Sequence, residues 1–466
     1  MNITAIFGAP GCGKTTRLME ILEHELSINE PDKIAFVSFT RKGTYEGAER
    51  ARTKFGYKES DMPFFRTLHS IAFRRGQFSK YDMISKRDYR AFSEAMGMKF
   101  TGYYTEDLFS NDDKYLFMVF LKRNNPRAAE SMTNTLNARL LRDVENNYIR
   151  YKEFARVRDF TDIIEHFVEV NDPLPVKVAI IDEAQDLTSL QWKMCTVAFR
   201  NCERIYIAGD DDQAIYEWSG ADVQHFLSLN KIAAEREILK QSYRLRSNVL
   251  KFAQSISSKI SERVDKDFHA VDEGGEVHFY NSLSELKITP DETYYFLSRN
   301  NWFLSKYREL LRSRAKVFLD KDAMSYDPHH FEAIKAYENA RKRGKLNDMD
   351  EVKLKLYWKA TPTLQGPWFE VLNFENDTMA YYRDLIKYKV LLKDSRITVN
   401  TIHGVKGGEA DNVVLMLDFT RAVRFNMERN PDSELRCLYV ACTRAKKALH
   451  IVYSNTKNGY DSFVRF

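Results

Sequence analysis

Three stretches of this chain combine residue types that handle phosphate chemistry. GAPGCGKT at 8–15 fits G-x-x-x-x-G-K-[ST], directly after the apolar run ITAIF and opening the helical pattern TTRLMEILEHEL. Glycines let backbone N–H groups close around phosphate oxygens. Gly8, Ala9, Pro10, Gly11, Cys12, Gly13, Lys14, Thr15 and Thr16 would line the cradle, with Lys14 reaching the β- and γ-phosphates and the Thr15 hydroxyl on Mg²⁺. AIIDEAQD at 179–186 is an apolar strand ending in acids. Asp182 would hold the metal, and Glu183 would position and deprotonate the attacking water. Taken alone, such acids could equally favour a helix N-terminus. Phosphoryl transfer also needs positive charge on the γ-phosphate, and QSYRLRSN (241–248) and YVACTRAKKA (439–448) offer arginines. GDDDQAIYEWSGA at 209–221 poses a different question. Three acids beside Tyr216 and Trp218 make a poor core and a poor solvent face.

The elements that must position these residues form a pattern. Short apolar runs recur at 3–7, 33–39, 178–182, 204–209, 293–297, 396–402, 412–417 and 449–453, mostly without polar alternation. Strands of a parallel sheet covered on both faces have this composition. Helical patterns lie between them, which predicts an α/β chain. The runs fall into two groups, giving a first core over 1–74 and 159–230 and a second over 231–304 and 393–466. Residues 75–158 and 305–392 form mainly helical insertions.

At roughly 100–200 residues per domain, 466 residues allow two to four domains. Hydrophobic residues at 44% and charged residues at 29% are enough to bury real cores. A net charge of +5 does not mark the whole chain as a nucleic-acid binder, so any basic surface is local. The five scattered cysteines form no CxxC pair, which fits a reducing compartment. No signal-peptide layout and no apolar run of the roughly 18 residues a membrane span needs is present. A cytoplasmic protein without a membrane partner is expected.

With these pieces the chain resembles superfamily-1 DNA helicases of the UvrD/Rep/PcrA type. GAPGCGKT is similar to motif I, VSFTRKGTYEGAERA (37–51) to motif Ia and TLHSIAFR (67–74) to the Thr-x-His motif. DFTDII (159–164) resembles D-F-x-D-L-L, IDEAQD motif II, and GDDDQAIYEWSGA motif III. LKQSYRLRSNVL (239–250) is similar to motif IV and FLSRNNWFL (296–304) to the R-x-N segment. VNTIHGVKGGEADNVVL (399–415) and SELRCLYVACTRAKKAL (433–449) resemble motifs V and VI. The segments run in the family's order along nearly the whole chain.

The resemblance implies two RecA-like P-loop NTPase cores with parallel sheets, each with a helical inserted subdomain. It places Tyr243 on the adenine ring, Gln213 on the γ-phosphate from the first core, and Arg244 and Arg444 on that phosphate from the second. Glu409 would lie near the ribose, with Lys406 and Gly407 in the same turn. A strand track would use Phe39, Thr40, Thr67, His69, Tyr216 and Trp218 from the first core. Arg299, Asn301, Thr401 and His403 would serve from the second. His69 and His403 could instead be hydrogen-bonded loop residues, and Trp302 is expected to pack in the core. In the acid run, Asp210 is expected to face the nucleotide, with Asp211 and Asp212 as turn or cap residues.

The implied activity is an ATP- and Mg²⁺-dependent DNA helicase moving 3′ to 5′ on single-stranded DNA and unwinding duplexes in replication, recombination or repair. Alternatives are a DNA-stimulated translocase that remodels protein–DNA complexes or forks, and a catalytically silent strand-binding protein. Implied partners are single strands, single-strand/duplex junctions and replication or repair proteins, with the chain a monomer or a DNA-dependent oligomer. Stacking platforms accept RNA as well, so DNA follows from the resemblance alone. Four departures stand out. The first strand begins at residue 2, leaving no upstream glutamine segment to read adenine. Motif III has Ser219 where the family has arginine. Motif V continues Gly408-Glu409-Ala410 without the family's aromatic residue. Both insertions are short, and no nuclease domain follows the last strand. Such compactness fits a bacteriophage-encoded member acting in the host cytoplasm.

Overall fold

The computed structural model describes residues 2–38, 41–104, 110–133, 136–392 and 395–464. Phe39 and Thr40 lie outside them. The chain divides into two compact units, Met1–Gly275 with Phe425–Thr443, and Glu276–Arg424 with Arg444–Phe466.

The first unit is built on an all-parallel sheet of β1 (Asn2–Gly8), β2 (Ile34–Ser38), β3 (Val178–Asp182), β4 (Arg204–Gly209) and β5 (Glu235–Leu239). Its strand order is β2-β3-β4-β1-β5. β2 and β3 are buried along their whole length. Alternate residues feed two cores: Phe7, Val37, Ile181 and Ile207 face one side, and Ile6, Phe36, Ile180 and Ala208 the other. That two-sided burial is why these strands are apolar without alternation. Among the described residues, the α-helices Lys86–Met96, Asp113–Asn124, Pro126–Thr133 and Ala138–Ala155 form the insertion. They gather a separate core around Phe92, Leu116, Val144 and Tyr148.

In the second unit β6 (Glu276–Tyr280), β7 (Tyr294–Ser298), β8 (Leu319–Asp320), β9 (Ala323–Met324), β10 (Ile397–Thr401), β11 (Ala410–Met416) and β12 (Ala445–Val452) form one sheet. The order is β6-β12-β11-β7-β10-β8-β9, parallel except for the β8–β9 hairpin. The helices of 305–392 enclose Tyr337, Trp368, Phe374 and Tyr382 in a core of their own. The α/β class and the parallel sheets agree with the sequence.

Two expectations change. Residues 231–275 were assigned to the second core, yet β5 pairs with β1 over Thr4–Gly8 and joins the first sheet. The helix Ser247–Ser257 stays with that unit, packed on the helix Pro431–Cys442. Trp302 is 79% exposed rather than buried, because Phe303 and Leu304 fill the core behind it.

Candidate nucleotide and nucleic-acid sites

In the first unit the loop 8–13 leaves β1 and turns into the helix Lys14–Ile28. Gly11 and Gly13 have φ of 70° and 81°, a region where only glycine is unstrained. The Lys14 ammonium is buried and donates to the carbonyls of Gly8 at 2.7 Å and Ala9 at 3.2 Å. Thr15 is half-buried in the first helical turn and Thr16 is exposed. Cys12 turns inward, and burial raises its thiol pKa.

β3 ends at Asp182, and Glu183 follows with φ of 53°, a strained conformation for a non-glycine residue. Its N–H donates to Asp182 Oδ1 at 2.9 Å. Gln185 then ties motif II to motif III. Its Nε2 donates to Glu183 Oε2, and its Oε1 accepts the Asp210 N–H at 3.1 Å. Gly209 makes room for this link, since a Cβ there would sit 2.4 Å from Gln185 Oε1. Burial, and then the charge of Glu183, push the Asp182 carboxyl up to about 7, against the nearby charge of Lys14.

The donors on hand are hard oxygens, the Thr15 hydroxyl and the Asp182 carboxylate. Among the described residues no group of three or more His, Cys, Asp or Glu could hold a metal alone. That set fits Mg²⁺ bound through one carboxylate and substrate phosphates rather than a protein cage. The sign of the pH dependence follows. Asp182 binds its proton more tightly folded than unfolded, so without a dication stability falls as pH rises from about 4 through 7. A dication held by Asp182 would have to displace that proton. The apparent affinity for Mg²⁺·nucleotide is expected to weaken about tenfold from pH 8 to pH 6, and Asp182→Asn should flatten the dependence. Calorimetric titration at both pH values checks this.

The acids of GDDDQAIYEWSGA have a role beyond the one expected. All three are buried around the Lys266 ammonium, which lies 3.0 Å from Asp210 and 3.0 Å from Asp212 and also pairs with Asp211. Arg263 grips Asp212 with Nε at 3.0 Å and Nη2 at 2.7 Å. The Val264 N–H donates to Asp211 at 2.8 Å. Burial opposes the ammonium, but the three carboxylates outweigh it and raise the Lys266 pKa. Asp210 also accepts from Gln213 Nε2 at 2.7 Å, so the cage fixes the glutamine. Asp211 and Asp212 are thus cage ligands as well as turn residues. Behind them, Arg436 binds Glu217 at 3.1 Å and the Glu262 carbonyl at 2.7 Å. Neither Lys266 nor Arg263 was identified from the sequence.

Tyr243 and Arg244, expected on the second core, belong to the phosphate loop's own unit. The Tyr243 N–H donates to the Gly11 carbonyl at 2.7 Å, and the Ser242 hydroxyl to the Pro10 carbonyl at 3.2 Å. A Cβ on Gly11 would lie 2.5 Å from Arg244 Cβ. The reason is β5: it runs beside β1, so the chain leaving it passes over the loop that leaves β1. The Tyr243 ring is 70% exposed and passes near Gly13.

Of the other residues in this unit, Thr67 caps the helix Leu68–Arg75 by accepting the Ser70 N–H. Burial holds His69 down to about 4, and its ring meets Phe160 edge-on at 5.7 Å. Tyr216 is half-buried, and Trp218 lies 6.2 Å from Phe117 of the insertion. The Ser219 hydroxyl donates to the Tyr216 carbonyl at 2.9 Å. The D-F-x-D segment has a structural account: Asp159 and Asp162 cap the helix Phe160–Val170 and bind Arg123 and Lys152.

In the second unit the carboxyl ends of β7 and β10 lie side by side, Thr401 opposite Ser298. Arg299 and Asn300 are buried, and Asn301 is half-buried. Thr401 Oγ1 accepts the Gly404 N–H at 3.3 Å, which turns the chain through half-buried His403. Arg444, 1% exposed, donates to the Gly408 carbonyl at 3.1 Å. Glu409 pairs with Lys446 at 3.2 Å.

Two family models match the chain: the UvrD/REP helicase N-terminal domain over residues 2–234, and the UvrD-like helicase C-terminal domain over 378–456. The chain belongs to the UvrD/Rep helicase family. Relatives within reach include the ATP-dependent DNA helicase PcrA of Staphylococcus aureus (strain NCTC 8325 / PS 47), 23% identical over 314 residues. PcrA of Staphylococcus epidermidis (strain ATCC 12228 / FDA PCI 1200) is 25% identical over 308 residues. Each match covers 60% of this chain and 41% of the relative, so the chain spans about two fifths of their length. The first family model takes in the phosphate loop, the Asp182–Glu183 pair and the acid cage, while Tyr243, Arg244 and Lys266 lie beyond its end. Among the described residues, no helix is long and apolar enough to cross a membrane.

Proposed function

We propose that this chain is an ATP- and Mg²⁺-dependent DNA helicase that moves 3′ to 5′ on single-stranded DNA and unwinds duplexes ahead of it. One observation supports this most: Lys14, Asp182, Glu183, Gln213, Tyr243 and Arg244 are gathered in one unit, with Gln185 joining motif II to motif III. Mg²⁺ on Thr15 and Asp182 would neutralise charge between the β- and γ-phosphates. Tyr243 offers a face for the base. Glu183 takes the proton of the attacking water. Lys14, Arg244 and Gln213 bind the γ-phosphate, and Arg444 adds positive charge in the transition state. Tyr216 and Trp218 stand three and five residues beyond Gln213, so a shift at the glutamine passes directly to the stacked strand. The remaining strand contacts are Phe39, Thr40, Thr67, His69, Arg299, Asn301, Thr401 and His403. Partners are single strands and junctions, together with replication or repair proteins, in a bacterial or phage-infected cytoplasm.

The test is unwinding of duplexes carrying a 3′ or a 5′ tail. Activity only from the 5′ tail overturns the polarity. Lys14→Ala is expected to abolish ATP hydrolysis while leaving strand affinity within about twofold; retained hydrolysis would remove the phosphate-loop assignment. A second reading, a translocase that strips or remodels without processive unwinding, is favoured by the small size of the 305–392 insertion. It requires strong stimulation of the ATPase by single strands with no unwinding from either tail.

A further inference from the structure

We infer that Trp302 is a stacking platform for one base of a single DNA strand at the carboxyl edge of the second sheet. This inference rests on the strand-binding function proposed above.

The fold makes no use of the Trp302 ring, which is 79% exposed while the next residue, Phe303, is 7% exposed and fills the core. Its position is determined by the sheet. The chain leaves β7 toward β8 and β10 on one side, and leaves β11 toward β12 on the other. β7 and β11 are neighbours, so the chain's direction switches between them. In open α/β sheets ligands bind in the crevice outside the carboxyl ends at such a switch. Trp302 follows β7 by four residues, on the short turn Asn301–Phe303.

That turn is held on both sides. Asn300 is buried, and its Oδ1 accepts the Thr420 N–H at 3.1 Å from the segment after β11. Its carbonyl accepts the Phe303 N–H at 3.3 Å. The Ser305 hydroxyl donates to the Trp302 carbonyl at 2.9 Å. A rigid backbone therefore presents a two-torsion aromatic ring, and little freedom is lost when a base stacks on it. Cationic character lies alongside. Lys306 stands one turn on, its ammonium half-exposed, 3.8 Å from the buried Asp418 carboxylate and 5.4 Å from the Phe303 ring. It lies in the first turn of the helix Leu304–Ser313, whose N-terminal amides favour phosphate. An indole, a lysine and a helix N-terminus within five residues match a base next to its phosphate. An apolar pocket on a protein partner would not need the cation.

The experiment measures the affinity of the full chain for fluorescent oligo(dT), at several salt concentrations, for wild type, Trp302→Ala and Trp302→Phe. Trp302→Ala should weaken binding about 5- to 150-fold, with the slope of log Kd against log salt unchanged, because stacking releases no counterions. Trp302→Phe should recover most of the loss. Thermal midpoints should agree among the three, since the ring packs against little. Wild-type binding with Trp302→Ala within twofold of it would overturn the inference and leave the strand-binding function intact. A loss accompanied by a changed salt slope, or not recovered by phenylalanine, would also overturn it. A wild-type chain that binds no oligo(dT) would instead remove the strand-binding function and this inference with it.

Discussion

Replacing Lys266 by methionine is expected to destabilise the first unit by about 3–5 kcal/mol, the usual cost of removing one partner from a buried ion pair. The side chain is fully enclosed and is shared by Asp210, Asp211 and Asp212. Without it, three neighbouring carboxylates remain buried, with Arg263 on Asp212 and the charge of Lys14 acting on Asp210. Protonation would offset part of the loss, so the variant should be more stable at pH 5 than at pH 8, the reverse of a protein whose carboxylates are satisfied. Neutralising one acid as well, in Lys266→Met with Asp211→Asn, should recover some stability. Thermal unfolding of the three proteins across pH measures both effects. A Lys266→Met variant with an unchanged midpoint would show that the cage is not held by the ammonium. Hydrolysis should fall too, because Asp210 orients Gln213 at 2.7 Å and loses its own anchor.

Arg244→Ala is expected to lower kcat for hydrolysis by about 10³–10⁵, the range for an arginine that meets transition-state charge on a transferred phosphoryl group. The geometry separates it from Arg444. Arg244 packs on Gly11 within the phosphate loop's own unit, whereas Arg444 belongs to the second and holds the Gly408 carbonyl. Arg244→Ala should therefore also weaken ATP affinity of the isolated resting enzyme. Arg444→Ala should leave that affinity nearly intact and lose turnover. Equilibrium binding of a fluorescent ATP analogue and single-turnover hydrolysis resolve the two. Equal losses of resting affinity in both variants would contradict the division.

Much of this was legible in the sequence, and the gaps have physical causes. β1 to β4 are apolar on both faces, which leaves short runs without polar alternation. β5 and β6 passed unnoticed because each is an edge strand. Their patterns are charged and half-exposed, EREIL and EVHFY, since only one neighbour and part of one face cover them. Missing β5 placed Tyr243 and Arg244 on the wrong unit. Lys14, Asp182 and Glu183 could be named because their chemistry demands a fixed local spacing. Lys266 could not, because its partners lie more than fifty residues away and only the folded chain brings them together. Trp302 was expected inside on composition, yet the two adjacent aromatics cannot both face the core from one turn.

All five cysteines are buried, and burial raises the thiols of Cys12, Cys195, Cys202 and Cys442. Thiolate is the reactive form, so these sulfurs should be nearly inert to maleimides in the native protein. The natural chain is thus already a silent background for site-directed labelling. A single cysteine introduced on each unit, at exposed positions such as Lys58 and Asp291, would carry donor and acceptor dyes without prior removal of native thiols. The distance between the units could then be followed through a nucleotide cycle in a protein otherwise unaltered.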